Sequence, residues 1–169
     1  MSPLAGCRIR LYDMLRRLAV DRRSCALAEE TTSPELIFGI CAPTGTDISR
    51  LSVSLEKELA ALDYKAIPIH LSKMLDQVPG YEDIANEKDE YHRIARSMDA
   101  GNHLRERLSS GDAVARLAVS AIRAYREENE SSEKPMSKVA YVIRSLKRQE
   151  EVETLNNLYG SNFFVISAY

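Results

Sequence analysis

Residues 38–50, FGICAPTGTDISR, have the residue types and spacing of a turn that binds phosphate. An apolar run leads into the turn, and a helix-like pattern follows it at once. Gly39 lies within the apolar run and Gly45 just before the helix. Glycine permits positive φ, so backbone N–H groups can converge on an anion, and the N-terminus of the following helix adds partial positive charge. Hydroxyl groups from Thr44, Thr46 and Ser49 are further donors.

The residues that phosphoryl transfer requires are not in place in this stretch. In the pattern GxxxxGK[ST], lysine neutralises the transferring group and the next Ser or Thr holds magnesium. Thr46 and Asp47 occupy those positions here, and the glycine spacing is one residue off. The apolar run VAYVIR ends in Arg144, where a magnesium-ordering Asp is expected. Three interpretations stay open: an active kinase, a degenerate or repurposed nucleotide pocket, and a structural turn in which Asp47 is only a helix N-cap.

Two arginines are candidates for the phosphate side of the same site. Arginine is a planar, permanently charged fork of donors and pairs well with phosphate. Arg105 lies in a charged segment between Gly101 and Gly111, where the alternative is a solvated helix charge. Arg144 ends a buried strand, where its charge needs a partner. That partner is either a phosphate or a carboxylate such as Asp47.

Composition limits the class of protein. A chain of 169 residues suffices for one domain with a buried core. A formal net charge of −2 gives no bulk attraction to nucleic acid or anionic membranes. No apolar run approaches the roughly 18 residues that span a bilayer, and no secretory signal is visible. The three cysteines are odd in number and widely spaced, so we expect a reducing cytoplasm. Neither the cysteines nor the three scattered histidines show the spacing of zinc ligands.

Apolar periodicity alternates between strand and helix from Pro34 onward. Continuous apolar runs predict strands at 35–41, 64–70, 138–146 and 162–169, and Pro68 favours an edge position for the second. Helical stripes predict helices over 47–63, 83–108 with a break at Gly101, 112–125 and 148–160. This alternation predicts an α/β fold with a mainly parallel sheet and helices on both faces, which binds ligands beyond the carboxyl ends of its strands.

The chain divides into two parts at the start of that pattern. Residues 1–33 are interpreted as an N-terminal leader with the periodicity of a short amphipathic helix. The domain spans residues 34–169 and ends on an apolar strand with no helix after it. We therefore expect this domain to be incomplete at its C-terminus.

Three stretches of the domain, residues 34–59, 98–123 and 138–169, resemble the N-terminal kinase-like domain of the bacterial anti-phage dCTP deaminases. The GTD at residues 45–47 also matches that family, and the last stretch is similar, more loosely, to nucleotide kinases of the adenylate and dephospho-CoA type. The resemblance implies a three-layer P-loop NTPase or nucleotide-kinase-like fold. The nucleotide-binding residues that it implies are Gly39, Thr44, Gly45, Thr46, Asp47, Arg105 and Arg144.

In that family the P-loop domain precedes a zinc-dependent deaminase domain with HxE and PCxxC motifs, which converts deoxycytidine nucleotides to deoxyuridine nucleotides. Neither motif is in this sequence, and Ala42 stands where a further loop glycine is expected. The resemblance thus implies a regulatory domain that binds a nucleoside triphosphate (ATP or a dNTP) with Mg²⁺, zinc belonging only to the deaminase domain. Its implied partners are a deaminase domain or regulatory inhibitor. Separately, the apolar strand with which the sequence ends leads us to expect self-association with further copies of this chain. A small nucleotide or nucleoside-monophosphate kinase and a truncated, inactive remnant are the alternatives.

Overall fold

The computed structural model describes residues 33–84, 86–129 and 134–169, so the predicted leader lies outside the described residues except for Ser33. Strands and helices alternate along this part of the chain. They are β1 Leu36–Cys41, α1 Ile48–Ala61, β2 Lys65–His70, α2 Leu71–Leu75, α3 Glu90–Arg107, α4 Ala113–Glu128, β3 Val139–Leu146, α5 Gln149–Tyr159 and β4 Phe163–Ser167. None of the helices described is both long enough and apolar enough to cross a membrane.

The four strands form one parallel sheet in the order β2-β3-β1-β4. β1 and β3 are the central strands, and their burial on both faces accounts for their continuous apolar runs. β2 lies at an edge, as Pro68 predicts, because proline cannot donate to a second neighbouring strand. The predicted fold class is therefore confirmed, and the arrangement is consistent with a three-layer nucleotide-kinase-like fold.

Helices cover both faces of the sheet. On one face, α1 buries Leu51, Leu55 and Leu59 in a cluster with Phe38 and Val142. On the other face, side chains of α2, α4 and α5 form a second cluster with the opposite side of the same strands. α3 packs against α2 and α4. Because the side chains of a strand alternate between faces, one sheet supports both clusters.

The long helix differs from its prediction. α3 begins at Glu90, after the N-cap Asp89, whose Oδ1 accepts from the backbone N–H of His92 at 2.9 Å. It then continues without a break through Gly101. A Cβ at Gly101 would lie 3.3 Å from Arg105 Nη1. The predicted break at Gly101 is therefore wrong, because the glycine makes room for the Arg105 side chain and does not end the helix.

A β-bulge interrupts the pairing of β1 with β3 at the carboxyl edge of the sheet. Ile40 pairs with Arg144 and Cys41 with Leu146, which leaves Ser145 as the extra residue. Ser145 has a φ of 74°, in the left-handed region that non-glycine residues seldom adopt. Bulges re-aim the side chains that follow them. Leu146 still pairs with Cys41, so the chain leaves the sheet at Lys147, in a direction that periodicity alone does not predict.

Candidate functional site

A cleft of about 580 Å³ opens at the carboxyl edge of the sheet. At this edge the chain leaves the two central strands toward opposite faces of the sheet: α1 follows β1 on one face, and α5 follows the adjacent β3 on the other. Open parallel sheets bind ligands at this kind of switch point. The walls are the turn after β1, the start of α2, the body of α3 and the end of β3.

The charged side chains of the cleft are mostly cationic. Among the described residues, six cationic side chains and one carboxylate line it, whereas the whole chain has a formal net charge of −2. The cations are Lys73, Arg93, Arg105, Arg144, Lys147 and Arg148. The carboxylate, Glu90, is already neutralised, since it accepts from Arg93 Nε at 3.0 Å and from Arg93 Nη2 at 2.6 Å. A concave surface with this charge attracts anions.

The turn after β1 is held by its own hydrogen bonds. The N–H of Thr46 donates to the carbonyl of Pro43 at 3.3 Å, and the N–H of Ile48 donates to the carbonyl of Thr46 at 2.8 Å. These two N–H groups are not free for an anion, so the main-chain nest is smaller than the sequence suggests. Gly45 has a φ of +92° with open space around it, so the turn's conformation requires this glycine. The hydroxyl groups that line the cleft here belong to Thr44, Thr46 and Ser49.

Two residues assigned to the loop have structural roles and lie outside the cleft lining. Asp47 caps α1: its Oδ1 accepts from the N–H of Arg50 at 3.2 Å. Gly39 lies inside β1, where a Cβ would be 2.6 Å from Leu146 Cδ1 and 3.0 Å from the Phe163 ring. The structure thus accounts for Asp47 as an N-cap and for Gly39 as a packing requirement, without a ligand in either case.

Arg105 lines the cleft but is engaged in an internal ion pair. Its Nη2 donates to Glu151 Oε1 at 2.5 Å, and its Nη1 donates to Asn102 Oδ1 at 3.3 Å. Glu151 is completely buried, and its Oε2 accepts from the backbone N–H groups of Lys147 at 2.8 Å and Arg148 at 3.2 Å. Glutamate at this position of a helix closes the N-terminal turn in the same way. Arg105 therefore connects α3 to the start of α5.

Arg144 faces the cleft with its charge uncompensated. Its Nη2 donates to Ser49 Oγ at 3.4 Å, and within the described residues it forms no ion pair. Asp47, the carboxylate considered as its partner, contacts Arg50 instead. Arg144 is therefore the predicted site residue best placed to meet an anion.

Several cations of the cleft are not among the residues predicted from sequence. Lys147 and Arg148 directly follow β3. The sequence signal that could have identified them is a pair of adjacent cations after a predicted strand, at the ligand-binding edge of the predicted sheet. Lys73 lies on α2, a helix of five residues that is too short to show apolar periodicity. Arg93 belongs to the predicted long helix, where its inward orientation depends on how α3 packs.

The cleft does not offer the donor set of a magnesium site. Mg²⁺ is usually bound through one or two carboxylates in addition to substrate phosphates and waters. The lining carboxylate, Glu90, is paired with Arg93, and the part of the chain described contains no group of three His, Cys, Asp or Glu residues suited to a metal. The residues present therefore fit the phosphates of the nucleotide implied by the resemblance but do not fit its Mg²⁺.

Comparison with known proteins yields no family. No protein-family model, curated protein or solved structure matches this chain. The geometry and charge of the cleft are therefore the basis for a function.

His70 adds a titratable group to the cleft. It ends β2 beside Arg144, with which it pairs in register. Burial, followed by the positive charges of Arg144 and Lys73, lowers the pKa of His70 below its usual value. The imidazole is therefore neutral at pH 7. A bound anion offsets these positive charges and raises the pKa of His70.

We expect anion binding to take up a proton at His70. Binding should therefore strengthen as the pH falls through the range between the pKa of His70 in the anion-bound protein and its lower pKa in the free protein. The measurement is titration calorimetry at pH 6.5 in two buffers of different ionisation enthalpy, with sulfate as the anion, because sulfate itself exchanges no proton at this pH whereas a nucleotide phosphate does. The His70→Asn variant should lose the buffer dependence. Proton uptake that is the same in both proteins would show that another group is responsible.

Proposed function

We propose that this chain binds a nucleotide in the cleft between β1 and β3 and does not transfer its phosphoryl group. The observation that carries the proposal is the charge of the cleft. Arg93 and Arg105 are paired with Glu90 and Glu151, whereas four other lining cations form no ion pair with the described residues: Lys73, Arg144, Lys147 and Arg148. Arginine and lysine are the side chains that recognise phosphate. The position of the cleft at the switch point of a parallel sheet supports the same conclusion.

The shape of the cleft favours an organic phosphate over a free phosphate ion. Its volume of about 580 Å³ is within the range of small-molecule sites. Beside the cations there is an apolar wall formed by Leu71, Leu75, Ile94, Met98 and Val114. A ligand with phosphates at one end and a flat, weakly polar base at the other would meet both surfaces. A nucleotide has this composition.

The absence of phosphoryl transfer follows from the residues around the turn. Transfer depends on metal ions and on a lysine that neutralise developing charge. Thr46 stands at the lysine position, Asp47 serves as the cap of α1, and the paired Glu90 leaves no lining carboxylate for a metal. The cleft supports binding better than turnover.

The resemblance to the anti-phage dCTP deaminases extends this proposal. A domain that binds a nucleotide without consuming it can pass its bound or free state to a deaminase domain, or bind a regulatory inhibitor. This sequence has no HxE or PCxxC motif and so cannot supply the zinc site and the acid–base glutamate that deamination needs. In this proposal the chain is the regulatory part of such a system.

Titration calorimetry with ATP, ADP, dCTP and dCMP tests the proposal, with and without Mg²⁺. We expect binding that weakens as salt is added, needs no Mg²⁺ and produces no ADP from ATP. Arg144→Ala should weaken binding about tenfold or more, since a hydrogen bond to a charged group contributes about 1.5–3 kcal/mol. Arg50→Ala removes the same charge nearby but outside the cleft lining, so it should bind like the wild type.

Two outcomes would contradict the proposal. If none of the four nucleotides gives a binding signal, the proposal that this chain binds a nucleotide is refuted. Magnesium-dependent consumption of ATP with a deoxynucleoside monophosphate would show that the chain is a kinase with an atypical turn.

A further inference from the structure

We propose that Lys147 supplies the ammonium charge that the turn after β1 lacks, and that it binds a terminal phosphate of the nucleotide. This inference rests on the proposed nucleotide binding. Thr46 occupies the position where a phosphate-binding turn carries lysine, and two N–H groups of the turn are engaged within it. A phosphate at this turn needs positive charge from elsewhere.

The side chain of Lys147 reaches the turn from the neighbouring strand. Its Nζ donates to the carbonyl of Ala42 at 2.9 Å, and Ala42 is the first residue after β1. This approach is short because β1 and β3 are adjacent and parallel, so their carboxyl ends lie side by side. An ammonium group has three donors. The bond to Ala42 uses one of them, which leaves two for a phosphate.

The backbone of Lys147 is held in place from the other side. Its N–H donates to Oε2 of the buried Glu151 at 2.8 Å, and the bulge at Ser145 precedes it. The ammonium group therefore extends from a fixed point toward the cleft that it lines. In the described residues it forms no ion pair with a carboxylate. Such a preorganised charge loses little freedom when it binds an anion.

The other cations of this wall indicate the class of ligand. Arg144 and Arg148 line the cleft on either side of Lys147 in the sequence. Three cations at the end of one strand match the several negative charges of a nucleoside diphosphate or triphosphate better than the charge of a monophosphate. The Lys147 site should therefore favour ADP and ATP over AMP.

Replacing Lys147 and placing a lysine at position 46 of the turn tests this role. We expect Lys147→Met to weaken ADP binding at least tenfold in titration calorimetry and to reduce the dependence of affinity on salt. The double variant Thr46→Lys/Lys147→Met should recover most of the lost affinity and salt dependence. Lys57→Met removes an exposed lysine of α1 that does not line the cleft, so it should leave ADP binding unchanged. Thermal unfolding of each variant shows whether it is folded.

Each result has a distinct meaning. If the wild type binds no nucleotide, the proposed function fails, and this inference with it. If the wild type binds ADP and folded Lys147→Met binds it equally well, the role of Lys147 is refuted while the proposed function stands. If lysine at position 46 does not restore the ADP affinity that Lys147→Met loses, Lys147 does not take the place of the lysine that the turn lacks.

Discussion

Glu151→Ala is expected to lower the free energy of unfolding by about 3–5 kcal/mol, the usual cost of removing one partner from a buried ion pair. Glu151 is completely buried, and Arg105, which is 9% exposed, would be left with an uncompensated charge. The N–H groups of Lys147 and Arg148 would also lose their acceptor. The three contacts of this carboxylate connect α3, the end of β3 and the start of α5. Its removal should therefore affect all three elements.

Urea unfolding measures this loss, and two variants separate its causes. Glu150→Ala removes the neighbouring, exposed carboxylate and should change the free energy of unfolding by less than about 0.5 kcal/mol. Arg105→Met/Glu151→Met removes both charges and should be less destabilised than Glu151→Ala, because no buried guanidinium is left unpaired. A loss of the same size in the double variant would show that the helix cap is the main contribution. A loss below about 1 kcal/mol in Glu151→Ala would contradict the buried pair itself.

Gly39→Val should destabilise the protein by about 2–3 kcal/mol, the upper range for overpacking a well-filled core. Its Cβ alone would come within 2.6 Å of Leu146 Cδ1 and 3.0 Å of Phe163, and both side chains belong to the buried cluster between the sheet and α5. Valine adds two methyl groups to this crowded space. The expected effect is therefore on folding and not on nucleotide affinity.

Calorimetry and urea unfolding together distinguish these two roles of Gly39. Folded Gly39→Val should bind ADP as the wild type does at a temperature well below its unfolding transition. Gly39→Ala should lose less stability, and Gly39→Ala/Leu146→Val should regain part of it, since the shorter side chain withdraws the atom at 2.6 Å. If Gly39→Val is stable but no longer binds ADP, Gly39 contributes to the binding site and not only to packing.

The fold was largely predictable from local patterns. Continuous apolar runs identify the four strands, and the i, i+4 stripe of Leu51, Leu55 and Leu59 identifies α1 as a helix covering one face. These signals are local because the burial of each element repeats with its own period. The break predicted at Gly101 was wrong because the role of this glycine is not local. The glycine serves a contact with Arg105 one turn later, and its effect on the helix depends on that packing.

The candidate site divides in the same way. The sequence places a glycine-bearing turn and Arg144 at the carboxyl edge of the sheet, since both follow predicted strands. It does not distinguish Arg144, which faces the cleft without an ion pair, from Arg105, whose guanidinium is held by Glu151. A single sequence carries no signal for that pair, because its partners come from different helices.

By itself, the sequence determined the strands, the longer helices, the parallel α/β arrangement and the missing lysine at Thr46. The tertiary structure alone decided which charges surround the cleft, because that depends on contacts between residues far apart in the chain. Lys147 reaches the carbonyl of Ala42 only because β1 and β3 pair side by side and a bulge turns the end of β3. Periodicity reports which face of an element is buried, whereas the pairing of strands and the packing of helices determine which charges meet.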